Sequence, residues 1–272
     1  QALQTEAQAM QQMDKVNPRI LRYLGYASYE NKKYDESIKA LNDFIAKADA
    51  KRVTGRDYLF LSKAKLAKAI SPEGTIADKA MFDNAMADLK KATEIDPAIG
   101  AEFSDLGVDL YKKKLYLEAI PVFAAATKAP DSPNALLDNF YLGNAVLFYV
   151  ANDLDTDEKR KDPKVQEMLK LADVAYGNVV AGSPTTQDAH LNRAKINRFI
   201  VGEEGKTNAV AAYEKYIEVV TTKGEAEMAK DSVKAGLIGA YSYIGSHYAI
   251  SDKVKAKENF EKALALDPTS QY

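Results

Sequence analysis

The sequence predicts an all-α solenoid of stacked antiparallel helix pairs, and three observations carry that prediction. A spaced pattern recurs as Ala85-Leu89-Ala92-Pro97, Ala172-Tyr176-Val179-Pro184 and Ala256-Phe260-Ala263-Pro268, with Ala119-Phe123-Ala126 in step and its proline one early at Pro130. Upstream of these stand Leu24-Gly25, Leu106-Gly107, Leu142-Gly143 and Ile244-Gly245. Nearly every segment has helical rather than alternating apolar periodicity, as in Ala256, Phe260, Ala263 and Leu264 on one stripe. Self-similarity on this scale is the mark of a repeat array, in which no unit buries its apolar stripe alone.

The elements follow in chain order. Gln1 to Met13 reads as the second helix of a pair, with Met10, Met13 and Pro18 at the repeat spacing, so 1–17 is expected to be a half-repeat. That abrupt start leads us to expect a piece of a longer protein. Six repeats are expected at 18–54, 55–99, 100–132, 133–184, 185–223 and 224–268, with 269–272 opening a further element in one array over 1–272. The third shows the unit in its shortest form: Leu106, Gly107, Leu110 and Tyr111 on one helix, a Lys112-Lys113-Lys114 turn, then Ala119, Phe123 and Ala126 facing back. Gly and Ala at matched heights let two helices approach while Leu, Tyr and Phe fill the space beside them. We therefore expect Gly107, Gly143 and Gly245 against Ala119, Ala172 and Ala256. Asn17-Pro18, Asp96-Pro97, Ser132-Pro133, Ser183-Pro184 and Asp267-Pro268 punctuate the junctions, each a good N-cap before a residue suited to the first helical position. Between the anchors Ser37, Ala85, Ala119, Ala172, Ala209 and Ala256 the intervals are 48, 34, 53, 37 and 47. The base unit is the shortest interval, and insertions fall around Ser71 to Ala80, Ala151 to Pro163 and before Ala240.

Composition narrows the function classes. With 37 basic and 39 acidic residues there is no net field to recruit nucleic acid or an anionic surface. No apolar run is long enough to insert in a membrane. Cysteine is absent, which removes thiol catalysis, thiolate metal sites and disulfides.

Candidate chemistry is sparse. Gly202-Glu203-Glu204-Gly205-Lys206-Thr207 ends like a phosphate-binding loop, but Ile200 stands where the first glycine is needed and no strand precedes it. Asp153, Asp155 and Asp157 alternate like a calcium loop, yet Glu158 replaces the turn glycine and Lys164 the closing bidentate Glu. Asp162-Pro163 there reads as a helix start. His190 and His247, the only histidines, have no partner at ligand spacing. No argument for an enzyme survives, and no cofactor or metal is expected.

A helix–turn–helix unit with Leu-Gly early and Ala, Phe, Ala, Pro late resembles the tetratricopeptide repeat. The fullest match is Tyr241-x2-Ile244-Gly245-x2-Tyr248 followed by Ala256, Phe260, Ala263 and Pro268, and the resemblance runs through the whole chain. The first and fifth repeats depart from it: Ser37 and Phe44 replace alanines and Leu191-Asn192 replaces Leu-Gly. The resemblance implies a right-handed superhelix whose first helices line a concave groove for peptide segments of partner proteins. It implies groove positions Arg19, Arg22, Tyr26 and Tyr29 in the first repeat and Arg56, Leu59, Lys63 and Leu66 in the second. In the third they are Ser104, Val108 and Tyr111, and in the fourth Leu137, Phe140, Asn144 and Leu147. The basic, aromatic start suits an acidic or carboxylate-bearing segment, and the middle is apolar. Asn144 occupies one position of the family's carboxylate clamp, but Thr186 and His190 stand where basic residues would complete it. A periplasmic or cell-envelope setting in a bacterium is implied at family level only.

The expected function is therefore a peptide-binding interaction module, with no nucleic acid and no membrane insertion. The alternative is a structural scaffold tier that packs against further repeats or against its own copies. Oligomeric state separates the two.

Overall fold

The structure, a computed structural model, describes residues 18–129 and 131–268. The half-repeat expected at 1–17, the junction residues Asn17 and Pro130, and the element expected at 269–272 lie outside the described residues. Among the described residues the long helices come in consecutive pairs. The first are α1 (Arg19–Glu30) with α2 (Tyr34–Lys47), α3 (Gly55–Ala69) with α4 (Lys79–Ile95), and α5 (Ser104–Lys112) with α6 (Tyr116–Ala126). There follow α7 (Ala135–Phe148) with α8 (Pro163–Gly182), α9 (Gln187–Asn197) with α10 (Glu203–Lys223), and α11 (Asp231–Tyr248) with α12 (Lys253–Leu266). Partners packed side by side across a short link run antiparallel. No β-strand occurs among the described residues, only an isolated bridge between Ile70 and Ile76. The fold is the all-α array of helix pairs that the repeat pattern predicts.

Local chemistry explains where the helices begin. The Asp78 side chain accepts from the Met81 amide at 2.9 Å, and Asp162, ahead of Pro163, accepts from the Lys164 amide at 2.8 Å. Asp252 takes the amides of both Val254 and Lys255, at 3.1 and 3.0 Å. Each oxygen satisfies amides that the first turn leaves without an intrahelical acceptor. The insertions become loops and longer helices. Residues 71–78 form a turn closed by the Ser71 amide on the Thr75 carbonyl, and Asp157–Arg160 is a single short helix before α8.

The chain forms two compact units. One reaches Lys114 and takes in Pro121–Ala135; the other comprises Leu115–Ile120 and the chain from Leu136 onward. Four of the helix pairs cross in one way. A Cβ added at Gly107 would lie 2.7 Å from the Phe123 ring, at Gly143 2.6 Å from Tyr176 and at Gly245 2.8 Å from Phe260. In the first pair Gly25 meets Leu41 in the same manner, at 2.5 Å. This corrects the expected register. The glycine faces the large side chain four residues beyond the anchor rather than the anchor alanine itself. The side chain closes on bare backbone, which only a residue without Cβ permits at this separation.

Candidate partner-binding face

In the first unit, α1 and α3 bring three of the expected groove residues around one ring, that of Phe60. Tyr26 stacks on Phe60 with ring centroids 4.3 Å apart, and Tyr29 meets the same ring edge-on at 5.3 Å. The Arg56 guanidinium lies over its Phe60 neighbour one turn along, 5.5 Å from the centroid. Arg56 is exposed and, among the described residues, has no carboxylate partner. A further turn along α3, Lys63 pairs with Glu102 and its ammonium lies 6.0 Å over the Phe103 ring. Arg19 is exposed at the start of α1, and Val108 is half-buried on α5.

Two of the expected groove residues, Arg22 and Asn144, make hydrogen bonds inside the protein. Arg22 donates to both oxygens of Asp57, at 2.7 and 2.8 Å, and also to the Arg52 carbonyl, and its guanidinium lies 4.5 Å over Phe44. Asp57 is wholly buried. It accepts in addition from the Tyr26 hydroxyl at 2.6 Å and from the Thr54 amide at 2.7 Å. Burial works against the Arg22 charge, and the Asp57 bond and charge more than restore it, so the guanidinium pKa is raised. Burial, then the Asp57 bond, drives the Tyr26 hydroxyl far above its ordinary value. Arg22 is thus a clamp between α1 and α3 and offers no free charge to a partner.

In the second unit, Asn144 is buried on α7, accepting from the Tyr176 hydroxyl at 2.6 Å and from the Asn192 amide nitrogen at 3.0 Å. It ties α7 to α8 and α9. Phe140 is half-buried and meets Tyr176 edge-on at 6.2 Å, whereas Leu137 is exposed. The other mapped positions Leu59, Leu66, Ser104 and Leu147 are buried.

The reason for the misplacement is register. On α3 the residues that meet α1 are Asp57 and Phe60, so Phe60 takes the place expected of Leu59. Asp57 was also missed. Its one sequence signal was Thr54-x2-Asp57 as a capping box, which the structure forms: Thr54 and Asp57 bond each other's backbone across the first turn.

The remaining motifs resolve into ordinary turns. Asp155 pairs with Lys159 and Asp157 with Arg160, so cations of the same loop take those carboxylates. Lys206 pairs with Glu203 at the start of α10. The His190 Nε2–H donates to the Pro184 carbonyl at 2.8 Å. No group of three or more carboxylates or imidazoles among the described residues is placed to hold a metal ion. No described helix is long and apolar enough to cross a membrane.

No family model and no curated protein matches the chain. Solved structures do show likenesses. The C-terminal part of a TPR repeat-containing protein from Cytophaga hutchinsonii is 22% identical over 98% of this chain and 90% of that one, with a TM-score of 0.45. A MamA RS-1 double mutant is 16% identical over 76% of this chain and 96% of that one, at 0.33. The human IFIT1 dimer with PPP-AAAA is 13% identical over 97% of this chain and 67% of that one, at 0.31. At these identities and TM-scores the likenesses carry no conclusion about what this chain binds.

Proposed function

We propose that the protein is a non-catalytic interaction module that receives an acidic segment of a partner protein on the α1–α3 face of its first unit. The observation that carries this reading is the exposed, carboxylate-free Arg56 lying on an aromatic platform of Phe60, Tyr26 and Tyr29. A guanidinium held over a ring is pre-oriented, so it loses little freedom on gripping a carboxylate. The rings beside it offer flat area at low entropic cost. Arg22 supports the platform from beneath by fixing α1 to α3, and Lys63 extends the basic character one turn further with Glu102 in attendance. The test is a screen of the protein against displayed acidic peptide segments. Enriched segments are expected to bind more weakly with added salt and to lose affinity on Arg56→Glu with unchanged melting. Segments indifferent to that change sink the reading.

One observation favours the scaffold alternative. Ile250 is 95% exposed and Val254 70% exposed at the α11–α12 turn, an apolar tip suited to a contact with another chain. Sedimentation tests it: a concentration-dependent dimer abolished by Ile250→Glu supports the scaffold, and a monomer at all concentrations excludes self-association through this tip. A periplasmic or envelope setting belongs to the same reading, and fractionation of the source cells checks it.

A further inference from the structure

Among the described residues, partly buried cations have partners. Arg22, Lys63, Lys65, Arg160, Arg193 and Lys255 each hold a carboxylate within ion-pair distance. Lys195 on α9, equally half-buried, makes neither an ion pair nor a hydrogen bond. Removing an ammonium from water without a partner is unfavourable, and folds neutralise such groups. This one does so everywhere else.

The surroundings of Lys195 suit an incoming anion. Asp188, Leu191, Lys195 and Arg198 recur at three and four residues, so they form one stripe along α9. At its far end the Arg198 guanidinium lies 5.2 Å over the Tyr243 ring of α11, and Tyr243 leans on Tyr213 at 5.4 Å. Among the described residues Arg198 has no carboxylate either; its side chain makes one long hydrogen bond, to the Tyr213 hydroxyl at 3.4 Å. At the near end Leu191 reaches the α11 backbone, where a Cβ on Gly236 would lie 3.3 Å from its Cδ2. Between the two levels α11 carries Gly239, whose Cβ position has nothing within 4 Å. Two cations one turn apart, an aromatic wall and open space beside a bare glycine therefore coincide on one surface of the second unit. The acid on the stripe, Asp188, lies two turns from Lys195. Burial lowers the Lys195 pKa, Asp188 works in the opposite sense and Arg198 adds to the lowering, so the ammonium is under-compensated.

We propose that Lys195, with Arg198 beside it, anchors a carboxylate carried by a partner polypeptide. The arriving oxygen would accept from the Lys195 ammonium, Arg198 would supply a second charge-assisted bond, and the segment's backbone would pass over Gly239. The inference rests on the reading of the chain as an interaction module but concerns other residues in the other unit, so the two fail separately.

The experiment uses the whole chain and a short acetylated oligoglutamate peptide, with its oligoglutamine counterpart as control. Binding is followed by fluorescence anisotropy for wild type, Lys195→Met and Arg56→Glu. Amine acetylation read by mass spectrometry reports occupancy at Lys195 itself. Oligoglutamate is expected to shield Lys195 from acetylation in the wild type and in Arg56→Glu. Lys195→Met, of similar shape and without charge, is expected to weaken binding in the Arg56→Glu background by about tenfold or more. The same substitution is expected to raise the melting temperature, because it removes an unpartnered ammonium. Lower stability with unchanged binding would make Lys195 a structural residue and overturn the proposal. So would shielding by oligoglutamine, or equal shielding by free glutarate at the same carboxylate concentration, which would mark a small-anion site. Loss of all binding in Arg56→Glu, with Lys195 unshielded, leaves the first face standing and overturns this one.

Discussion

Arg22 on α1 and Asp57 on α3 are joined by two parallel bonds, 2.7 and 2.8 Å long, although 35 residues separate them in the chain. Asp57 has no exposed surface, so its charge depends on that guanidinium, the Tyr26 hydroxyl and the Thr54 amide. Replacing Arg22 with Ala leaves a buried carboxylate short of a counter-charge, and the expected loss is about 3–5 kcal/mol. Urea denaturation measures it. A loss near zero would mean that α1 and α3 are held by the Tyr26–Phe60 stack alone.

The second prediction concerns the crossing of α5 and α6. Gly107→Ala places a methyl within 2.7 Å of the Phe123 ring. The ring is fully buried and cannot swing aside. We expect the overpacking to lower stability by about 1–3 kcal/mol, more than the better helix propensity of alanine returns. Phe123→Leu in the same chain should recover part of the loss. Stability unaffected by Gly107→Ala would break the assigned glycine–ring register.

Ser37 makes an opposite case. Its hydroxyl is buried on α2 with no hydrogen-bond partner, at an anchor where the other repeats carry alanine. Ser37→Ala removes an unsatisfied polar atom and should stabilise by about 1 kcal/mol. Thermal unfolding checks it, and a lower midpoint would show that the hydroxyl has a partner in solution.

Lys195 gives a pH signature. Its pKa is lowered in the folded chain, so below the usual lysine value of 10.5 the unfolded chain binds more protons than the folded one. Its unfavourable contribution is therefore fully present below the folded pKa and is relieved as pH rises toward 10.5. The stability advantage of Lys195→Met over wild type should shrink across that window. A constant difference would place Lys195 in water.

What was legible in the sequence was local. Asp96 before Pro97 and Asp162 before Pro163 name helix starts because a cap and its amide lie within one turn, and the structure forms both. The apolar spacing of Ala256, Phe260 and Ala263 likewise fixes which side of α12 packs, save that Phe260 rather than Ala256 fills the space at Gly245. The site was legible only in part. Tyr26, Tyr29 and Arg56 do meet, but a shift of one residue along α3 exchanged Leu59 for Phe60, and helical spacing tolerates either. Arg22 read as a free cation because its acid stands on another repeat. The bonds of Asn144 were hidden for the same reason, since Tyr176 and Asn192 come from two other helices. Lys195 carried no signal at all. Lack of a partner is a property of tertiary packing and leaves no motif.

The central claim is that a partner segment lies on the α1–α3 face, and amide hydrogen exchange tests it most directly. The whole chain is exchanged with and without an enriched acidic segment. The account predicts slowed exchange concentrated in Arg19–Glu30 and Gly55–Ala69, lost in Arg56→Glu. Slowed exchange confined to Tyr34–Lys47 and Lys79–Ile95, and retained in Arg56→Glu, would contradict it.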